Sequence, residues 1–264
     1  MPDLIIHNRA YKVTGILFDK DGTLLDFIAM WGCWSESVFE AFAQQLRKRG
    51  LTFSSDIVPR LWGTIHGKDG KITDYDRNGP LAMGSMQDLY AVLSWQSYQA
   101  GLSWAESMEL VQQCKQHADR ELERLRPAQP LPGLLAFLAS CKEHGLKLGV
   151  VTADDTESAE RHLAWMGIRS YFDAVVGSDL VELGKPFPDM MQQACGKLSL
   201  SCSDTAIFGD TNGDMRMGLA AGAAVSIGIH AAANAATAAQ LLPDANEWIS
   251  GYSQLRIGRR SDEG

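Results

Sequence analysis

Cysteines are few in this sequence, which also has neither a basic tract nor a long apolar run. The five cysteines among 264 residues are scattered and form no C-x-x-C pair, which argues against a disulfide framework or a zinc site. The formal net charge is -8, so no positive surface for nucleic acid or an anionic membrane is expected. The apolar segments are shorter than a membrane span, and residues 1–13 lack the pattern of an export signal. We therefore expect a cytoplasmic protein that binds a small molecule. Its oligomeric state is expected to be a monomer or a homodimer.

Short β-rich runs alternate with helical patterns over most of the chain. Strands are predicted at residues 13–18, 146–151, 172–176, 205–208 and 223–227, and helices at 133–144, 155–166, 188–198 and 214–221. Strands that are each followed by a helix form parallel sheets, because the helix carries the chain back to the starting edge. The pattern therefore predicts an α/β fold.

A stretch at about residues 27–130 separates the first two predicted strands and has helical patterns only. Apolar residues recur at helical spacing at Trp31, Trp34, Val38, Phe42 and Leu46, and Ser103 with Glu106 forms a capping box. The stretch is too long for a crossover, so we predict a helical insert at 27–130 within a core formed by 1–26 and 131–255. The polar residues 256–264 are predicted to be a disordered tail. Trp31, Trp34 and Trp95 are expected to be buried.

Two acids, Asp19 and Asp21, follow the first predicted strand. In parallel α/β sheets, ligands bind outside the carboxyl ends of the strands. In an extended chain the side chains of Asp19 and Asp21 lie on the same side, and Lys20 points away from them. Because close carboxylates repel, one is stabilised by a cation or keeps a proton, which suits a nucleophile beside an acid. An exposed turn is the alternative interpretation.

Asp210 and Asp214 follow the strand predicted at 205–208 and bring the number of candidate acids to four. Magnesium prefers oxygen ligands and commonly keeps several waters. We therefore expect Mg²⁺ to bind Asp19, Asp210 and a main-chain carbonyl near Asp21. Asp214 is a further candidate ligand, or else a residue at a helix N-terminus that the helix dipole favours.

Thr152, Ala153 and Lys185 give weaker signals. The Thr152 hydroxyl and the main-chain N–H groups around Ala153 follow the second predicted strand and could bind a phosphoryl oxygen. Asp154 with Glu157 is a plausible capping box, so Asp154 could simply start the next helix. Lys185 lies between a glycine and a proline ahead of a helix, and a lone loop lysine normally faces solvent.

In this order, the four segments resemble the haloacid dehalogenase superfamily of hydrolases. Its pattern is a D-x-D-G-T loop, a Ser or Thr after a second strand, a lysine before a helix, and a G-D-x-x-x-D segment. In this chain, residues 19–23, Thr152, Lys185 and residues 209–214 match these four elements in turn. The resemblance implies a Rossmann-like sheet in which the first, second and fourth strands are neighbours, with the insert as a smaller, all-helical cap domain. The layout is similar to that of the phosphoglycolate phosphatase-like members.

The resemblance also implies hydrolysis of a small phosphate monoester, such as phosphoglycolate or a sugar phosphate. Asp19 would attack phosphorus to form an aspartyl phosphate, and Asp21 would protonate the leaving alcohol and then activate water. Thr152, Ala153, Lys185 and Mg²⁺ would hold the phosphoryl oxygens, with the metal bound by Asp19, Asp21, Asp210 and Asp214. The cap would close and exclude bulk water.

The acid at position 21 separates activities within the superfamily. Dehalogenases lack an acid there, phosphonate-hydrolysing members have a small residue, and the ion pumps have a threonine, so phosphate ester chemistry is expected. A phosphosugar mutase uses the same acids and is the first alternative, although Thr23 is more typical of phosphatases. A phosphate-binding protein without turnover is the second alternative.

Lys68, Lys71 and Arg77 are the candidate substrate residues of the insert. They lie among glycines and acids, and one of them could grip a carboxylate or a second phosphate of the substrate. A solvated loop with balanced charge is the alternative interpretation.

Overall fold

The structure, a computed structural model, describes residues 1–230 and 239–258. Its internal contacts divide the chain into two compact units. The larger unit contains Met1–Asp26 and the chain from Gln129 onwards, and the smaller unit is Phe27–Ala128.

Eleven strands and nine α-helices lie entirely within the described residues. The strands are β1 (Asp3–Ile6), β2 (Arg9–Lys12), β3 (Gly15–Phe18), β4 (Thr64–His66), β5 (Ile72–Tyr75), β6 (Lys147–Val151), β7 (Ala174–Val176), β8 (Thr205–Gly209), β9 (Val225–Ile229), β10 (Glu247–Ile249) and β11 (Leu255–Gly258). The helices are α1 (Cys33–Lys48), α2 (Val58–Trp62), α3 (Pro80–Met83), α4 (Met86–Gln99), α5 (Trp104–Leu125), α6 (Leu134–Glu143), α7 (Thr156–Trp165), α8 (Asp189–Leu198) and α9 (Asn212–Ala221).

The larger unit is built on a parallel sheet whose described strands run in the spatial order β10-β9-β8-β3-β6-β7. All residues of β3, β8 and β9 are buried, as expected for strands covered on both faces. The five predicted strands are confirmed, with bounds shifted by at most 2 residues. The first, second and fourth predicted strands are β3, β6 and β8, and they are neighbours as the resemblance implies.

Neighbouring residues of β3 pack on opposite faces of this sheet. Leu17 lies in a buried apolar cluster with Met190 of α8 and Met217 of α9. The Phe18 ring stacks on Phe208 of β8, with 5.2 Å between ring centroids, and contacts the ring of Phe137 in α6. Helices α8 and α9 therefore cover one face and α6 the other, and replacing Phe18 by Ala would cost about 3–5 kcal/mol.

Three antiparallel strands form a further sheet in the order β11-β1-β2, which the sequence does not predict. Gly258 of β11 pairs with Asp3 of β1, and Leu255 and Ile257 are buried whereas Arg256 is exposed. A disordered tail is therefore wrong for residues 256–258, and residues 259–264 lie outside the described part of the chain. The alternation spans only four residues, too few to be recognised in a polar segment.

The smaller unit is helical except for one antiparallel hairpin, β4-β5, so the insert is not all-helical. Helix α1 packs along α5, and the capping box of Ser103 and Glu106 at the start of α5 is confirmed. Trp31 and Trp34 are buried as predicted, but Trp95 is 51% exposed, so that prediction is wrong. Within the described residues, no helix combines the length and apolar composition needed to cross a bilayer.

Candidate active site

Asp19 and Asp210 follow β3 and β8, which lie side by side. The Asp19 N–H donates to the carbonyl of Phe208 at 2.8 Å, so the strand pairing extends to the first acid. Carboxylate oxygens of Asp19, Asp210 and Asp214 lie within 4.8 Å of one another, and all three residues are buried. The structure therefore brings three of the four predicted acids together at the carboxyl edge of the sheet.

The ammonium of Lys185 lies among these acids. Its Nζ is 2.5 Å from Asp19 Oδ1 and 2.6 Å from Asp214 Oδ1, and the side chain is only 8% exposed. Burial disfavours the charged ammonium, but Asp19 and Asp214 outweigh burial and raise the pKa of Lys185 above its ordinary value. The solvent-facing interpretation of Lys185 is therefore wrong, and the residue is a fixed positive charge.

Asp214 has two roles, one for each carboxylate oxygen. Oδ2 accepts a hydrogen bond from the Thr211 hydroxyl at 2.6 Å in the capping box that starts α9. Oδ1 lies on Lys185. A Cβ at Gly209 would be 2.3 Å from the Cβ of Asp214, so only glycine permits this approach. The position of Asp214 at the helix terminus is therefore confirmed, and its place in the cluster of acids leaves metal binding a prediction.

The site has an excess of negative charge. Burial raises the pKa of Asp19 well above its ordinary value; Lys185 opposes this rise, and Asp214 and Asp210 add to it. A carboxylate must be ionised to act as a nucleophile. A divalent cation would supply the missing positive charge, and clustered carboxylate oxygens are the donors that hard cations prefer. Asp19, Asp210 and Asp214 therefore fit a divalent cation.

Thr152 directly follows β6, the other neighbour of β3. It is fully buried, and its Oγ1 accepts the N–H of Asp154 at 3.2 Å. Ala153 is partly buried. Phe18 is in register with Val150, which places Thr152 and Ala153 at the same carboxyl edge as Asp19. Their binding of a phosphoryl group stays a prediction.

The sequence matches the family model of haloacid dehalogenase-like hydrolases over residues 13–222, a range that contains all the acids described above. The chain belongs to this family.

Curated relatives agree with this membership, and a solved structure shares the fold. The probable phosphatase IndB of Dickeya dadantii is 39% identical over 114 residues, which are 41% of this chain and 50% of that protein; the match thus spans half the length of this relative. A phosphoglycolate phosphatase of Yersinia pseudotuberculosis is 25% identical over 215 residues, 80% of this chain and 78% of that protein. The crystal structure of a β-phosphoglucomutase from Clostridium difficile has a TM-score of 0.60 at 17% identity, covering 92% of this chain and 93% of that one. The structural likeness supports the fold alone.

In this haloacid dehalogenase-like hydrolase, Lys20 occupies the middle of the D-x-D-G-T loop and does not point away from the acids. Its side chain is completely buried, and Nζ lies 2.7 Å from Asp21 Oδ1. The extended geometry that the prediction assumed ends at Asp19: the N–H of Leu24 donates to the Lys20 carbonyl, and Gly22 has φ +79°. The chain therefore turns at once and brings the ammonium back to Asp21.

Two further residues lie close to the Lys20 ammonium. Asp154 Oδ2 lies 3.3 Å and His162 Nδ1 lies 3.2 Å from Lys20 Nζ. The predicted capping box began one residue too early, because Asp155 caps α7 and leaves the Asp154 side chain for Lys20. His162 was missed, because no local feature of the sequence indicates that this histidine of α7 is buried next to Lys20.

The three candidate residues of the insert differ in their surroundings. Lys68 and Lys71 are exposed in the turn of the β4-β5 hairpin. The Arg77 guanidinium carbon lies 4.4 Å from the centroid of the Tyr75 ring, and Nη1 is 3.3 Å from Asp74 Oδ1. Arg77 therefore takes part in local packing, whereas Lys68 and Lys71 extend into solvent, and contact with substrate stays a prediction for all three.

Proposed function

We propose that this protein is a Mg²⁺-dependent phosphatase that hydrolyses a small phosphate monoester through a phosphoaspartate on Asp19. The observation that carries the proposal is the contact of the Lys185 ammonium with Asp19 and Asp214 at a buried edge that also contains Asp210. A nucleophilic oxygen, a fixed positive charge and donors for a cation thereby lie within a few ångströms. The phosphatase relatives support the same reaction.

In the first half of the reaction, an Asp19 oxygen attacks phosphorus and the bond from phosphorus to the leaving oxygen breaks. Asp21 gives its proton to that oxygen, so an alcohol leaves. Lys185 and the loop at Thr152 and Ala153 hold phosphoryl oxygens, so that the developing charge is met by groups already in place. The transferred phosphoryl group is then bound to Asp19 as an acyl phosphate.

In the second half, Asp21 takes a proton from a water molecule that attacks the same phosphorus. The bond between phosphorus and the Asp19 oxygen breaks, phosphate leaves and the carboxylate is restored. Dividing one difficult displacement into two easier ones is the advantage of a covalent intermediate.

Asp19, Asp210, Asp214 and the main-chain carbonyl of Asp21 are the groups proposed to hold Mg²⁺. When bound, the cation would neutralise part of the carboxylate charge and polarise the phosphoryl oxygens. Asp214 also contacts Thr211 and Lys185 with its two oxygens, so we propose that it holds Lys185 in place as well.

The experiment that tests the proposal is a screen of the purified protein with Mg²⁺ against a panel of phosphorylated metabolites, including phosphoglycolate and sugar phosphates. Release of inorganic phosphate, absent in the Asp19→Asn variant, is the expected result. An isomerised sugar phosphate without phosphate release would indicate the mutase alternative. Tight binding of phosphate without turnover of any compound would indicate a binding protein.

A further inference from the structure

Lys20 is a charged residue that the fold places in the interior of the larger unit. Its side chain is completely buried, and a buried ammonium is strongly disfavoured unless it is paired. A buried ion pair contributes little net stability, since apolar side chains of similar volume often do as well or better. Packing alone therefore does not account for a lysine at this position.

The partners of Lys20 are themselves firmly held. Asp154 Oδ1 accepts the N–H of Asp155 at 2.9 Å, and the main-chain carbonyl of Asp154 accepts the N–H of Ser178 at 2.9 Å. His162 is buried on α7, and burial together with the Lys20 ammonium lowers its pKa below the ordinary value. A neutral His162 accepts a hydrogen bond at Nδ1 from Lys20, so the ammonium is anchored to the core on one side.

The other side of the ammonium holds Asp21. The Asp21 side chain is 17% exposed, and its Oδ1 lies 2.7 Å from Nζ, so this carboxylate can still be reached from solvent while one oxygen is fixed. A carboxylate held by a charge-assisted hydrogen bond keeps a defined orientation. Asp154 and His162 are both buried, so the position of the ammonium next to them does not depend on the substrate.

We propose that Lys20, anchored by Asp154 and His162, is a positioning residue that orients the Asp21 carboxylate for proton transfer to the leaving group. This inference rests on the proposed phosphatase function, in which Asp21 is the acid. Loss of Lys20 would remove a charge-assisted contact that orients the Asp21 carboxylate and would leave the contact of Asp19 with Lys185 in place. The loss of kcat/KM would therefore be larger for esters whose leaving group is more basic.

The test compares kcat/KM on 4-nitrophenyl phosphate and phenyl phosphate, two esters of similar shape whose leaving groups differ in basicity. The variant is Lys20→Met, which removes the charge and keeps an unbranched side chain that is one atom shorter. Because that change leaves Asp154 buried with its charge uncompensated, the double variant Lys20→Met/Asp154→Asn removes both charges and guards against a failure to fold. Lys142→Met, which breaks a surface ion pair with Asp173, is the matched control.

A misplaced catalytic group can reduce a rate by about a hundredfold, so we expect the loss on phenyl phosphate to exceed that on 4-nitrophenyl phosphate by about tenfold or more. The folded double variant should show the same difference between the two esters, and Lys142→Met should lose no activity on either. Equal losses on both esters, or no loss on either, in the folded double variant would overturn the role of Lys20 while leaving the phosphatase function intact. A wild-type protein that hydrolyses neither ester nor any metabolite would overturn both.

Discussion

The ammonium of Lys185 lies 2.5 Å from the Asp19 carboxylate, although 166 residues separate the two along the chain. Asp19 belongs to the end of β3, and Lys185 to the segment between β7 and α8. Burial raises the pKa of Asp19, and Lys185 opposes that rise. The charge state of the proposed nucleophile therefore depends on a loop that is remote in sequence.

Lys185→Met should lower kcat by roughly 10²–10³ with the fold intact, because removal of one preorganised charge-stabilising group has this effect in other active sites. The exposed Lys197 of α8 offers a matched control, since Lys197→Met should leave kcat unchanged. Initial rates on 4-nitrophenyl phosphate, with circular dichroism as the check on folding, measure both. A fully active Lys185→Met protein would return Lys185 to the class of ordinary loop lysines.

Mg²⁺ should raise the thermal unfolding temperature as well as support activity. A ligand that binds only the folded state at 100 times its Kd stabilises that state by about 2.7 kcal/mol. Asp210→Asn should remove most of this shift, and Ca²⁺ should support turnover poorly because its looser coordination misplaces the nucleophile. Differential scanning fluorimetry with a metal titration measures the shift, and full activity in excess chelator would contradict the metal assignment.

Substrate preference should be sensitive to Lys68 and Lys71. The double variant Lys68→Ala/Lys71→Ala should change the ranking of natural substrates more than the rate on 4-nitrophenyl phosphate, because both side chains are exposed and belong to no acid cluster described for the core. Lys48→Ala, at an exposed lysine in α1, is the control. Arg77→Ala is expected to reduce stability also, given its contact with Tyr75. Parallel losses on every substrate would argue against a role in selectivity.

Stability should depend on pH through Glu247 of β10. Its Oε1 accepts hydrogen bonds from Tyr11 at 2.5 Å and Arg9 at 2.8 Å. Burial raises the pKa of Glu247, but these partners outweigh burial and lower it overall. A folded pKa below the unfolded one gives stability that is present above the unfolded value, about 4.3, and is lost as the pH falls through the folded value.

Glu247→Gln should therefore be destabilised by about 1–2 kcal/mol at pH 7, and its difference from the wild type should shrink as the pH falls below about 4. Urea denaturation at a series of pH values measures the free energy of unfolding. Glu143→Gln, at an exposed position, should match the wild type throughout. A destabilisation of Glu247→Gln that persists unchanged at low pH would show that the effect is not due to the charge.

The sheet and its acids were predictable because their signals are local. Strand β3 is apolar at every large side chain, and the acids come directly after β3 and β8, so strand recognition alone places Asp19 and Asp210 at one edge. Strand β11 gave no such signal, since its four residues become a strand only by pairing with β1 at the other end of the chain.

Lys20 illustrates why part of the site could not be predicted. Nothing in D-K-D-G-T indicates that the lysine is buried, because its partner His162 lies 142 residues away. A local rule that charged side chains face solvent is correct for Lys68 and Lys71 but wrong for Lys20 and Lys185. The difference arises from carboxylates that the fold brings to the two buried lysines.

In the proposed reaction, Asp19 carries the phosphoryl group and Asp21 moves the proton. Asp21→Asn keeps the nucleophile but removes the proton carrier, so breakdown of the phosphoenzyme should slow on every substrate. Asp19→Asn replaces the carboxylate by a neutral amide, which is a poor nucleophile. Asp21→Asn should therefore form the phosphoenzyme and retain it, whereas Asp19→Asn should not form it.

Intact-protein and peptide mass spectrometry after an acid quench tests this claim most directly, with 4-nitrophenyl phosphate as substrate because its leaving group needs little protonation. We expect Asp21→Asn to accumulate one phosphoryl group on the peptide that contains Asp19, and Asp19→Asn to accumulate none and to show no turnover. Phosphate trapped on any other residue, or a fully active Asp19→Asn protein, would contradict the account.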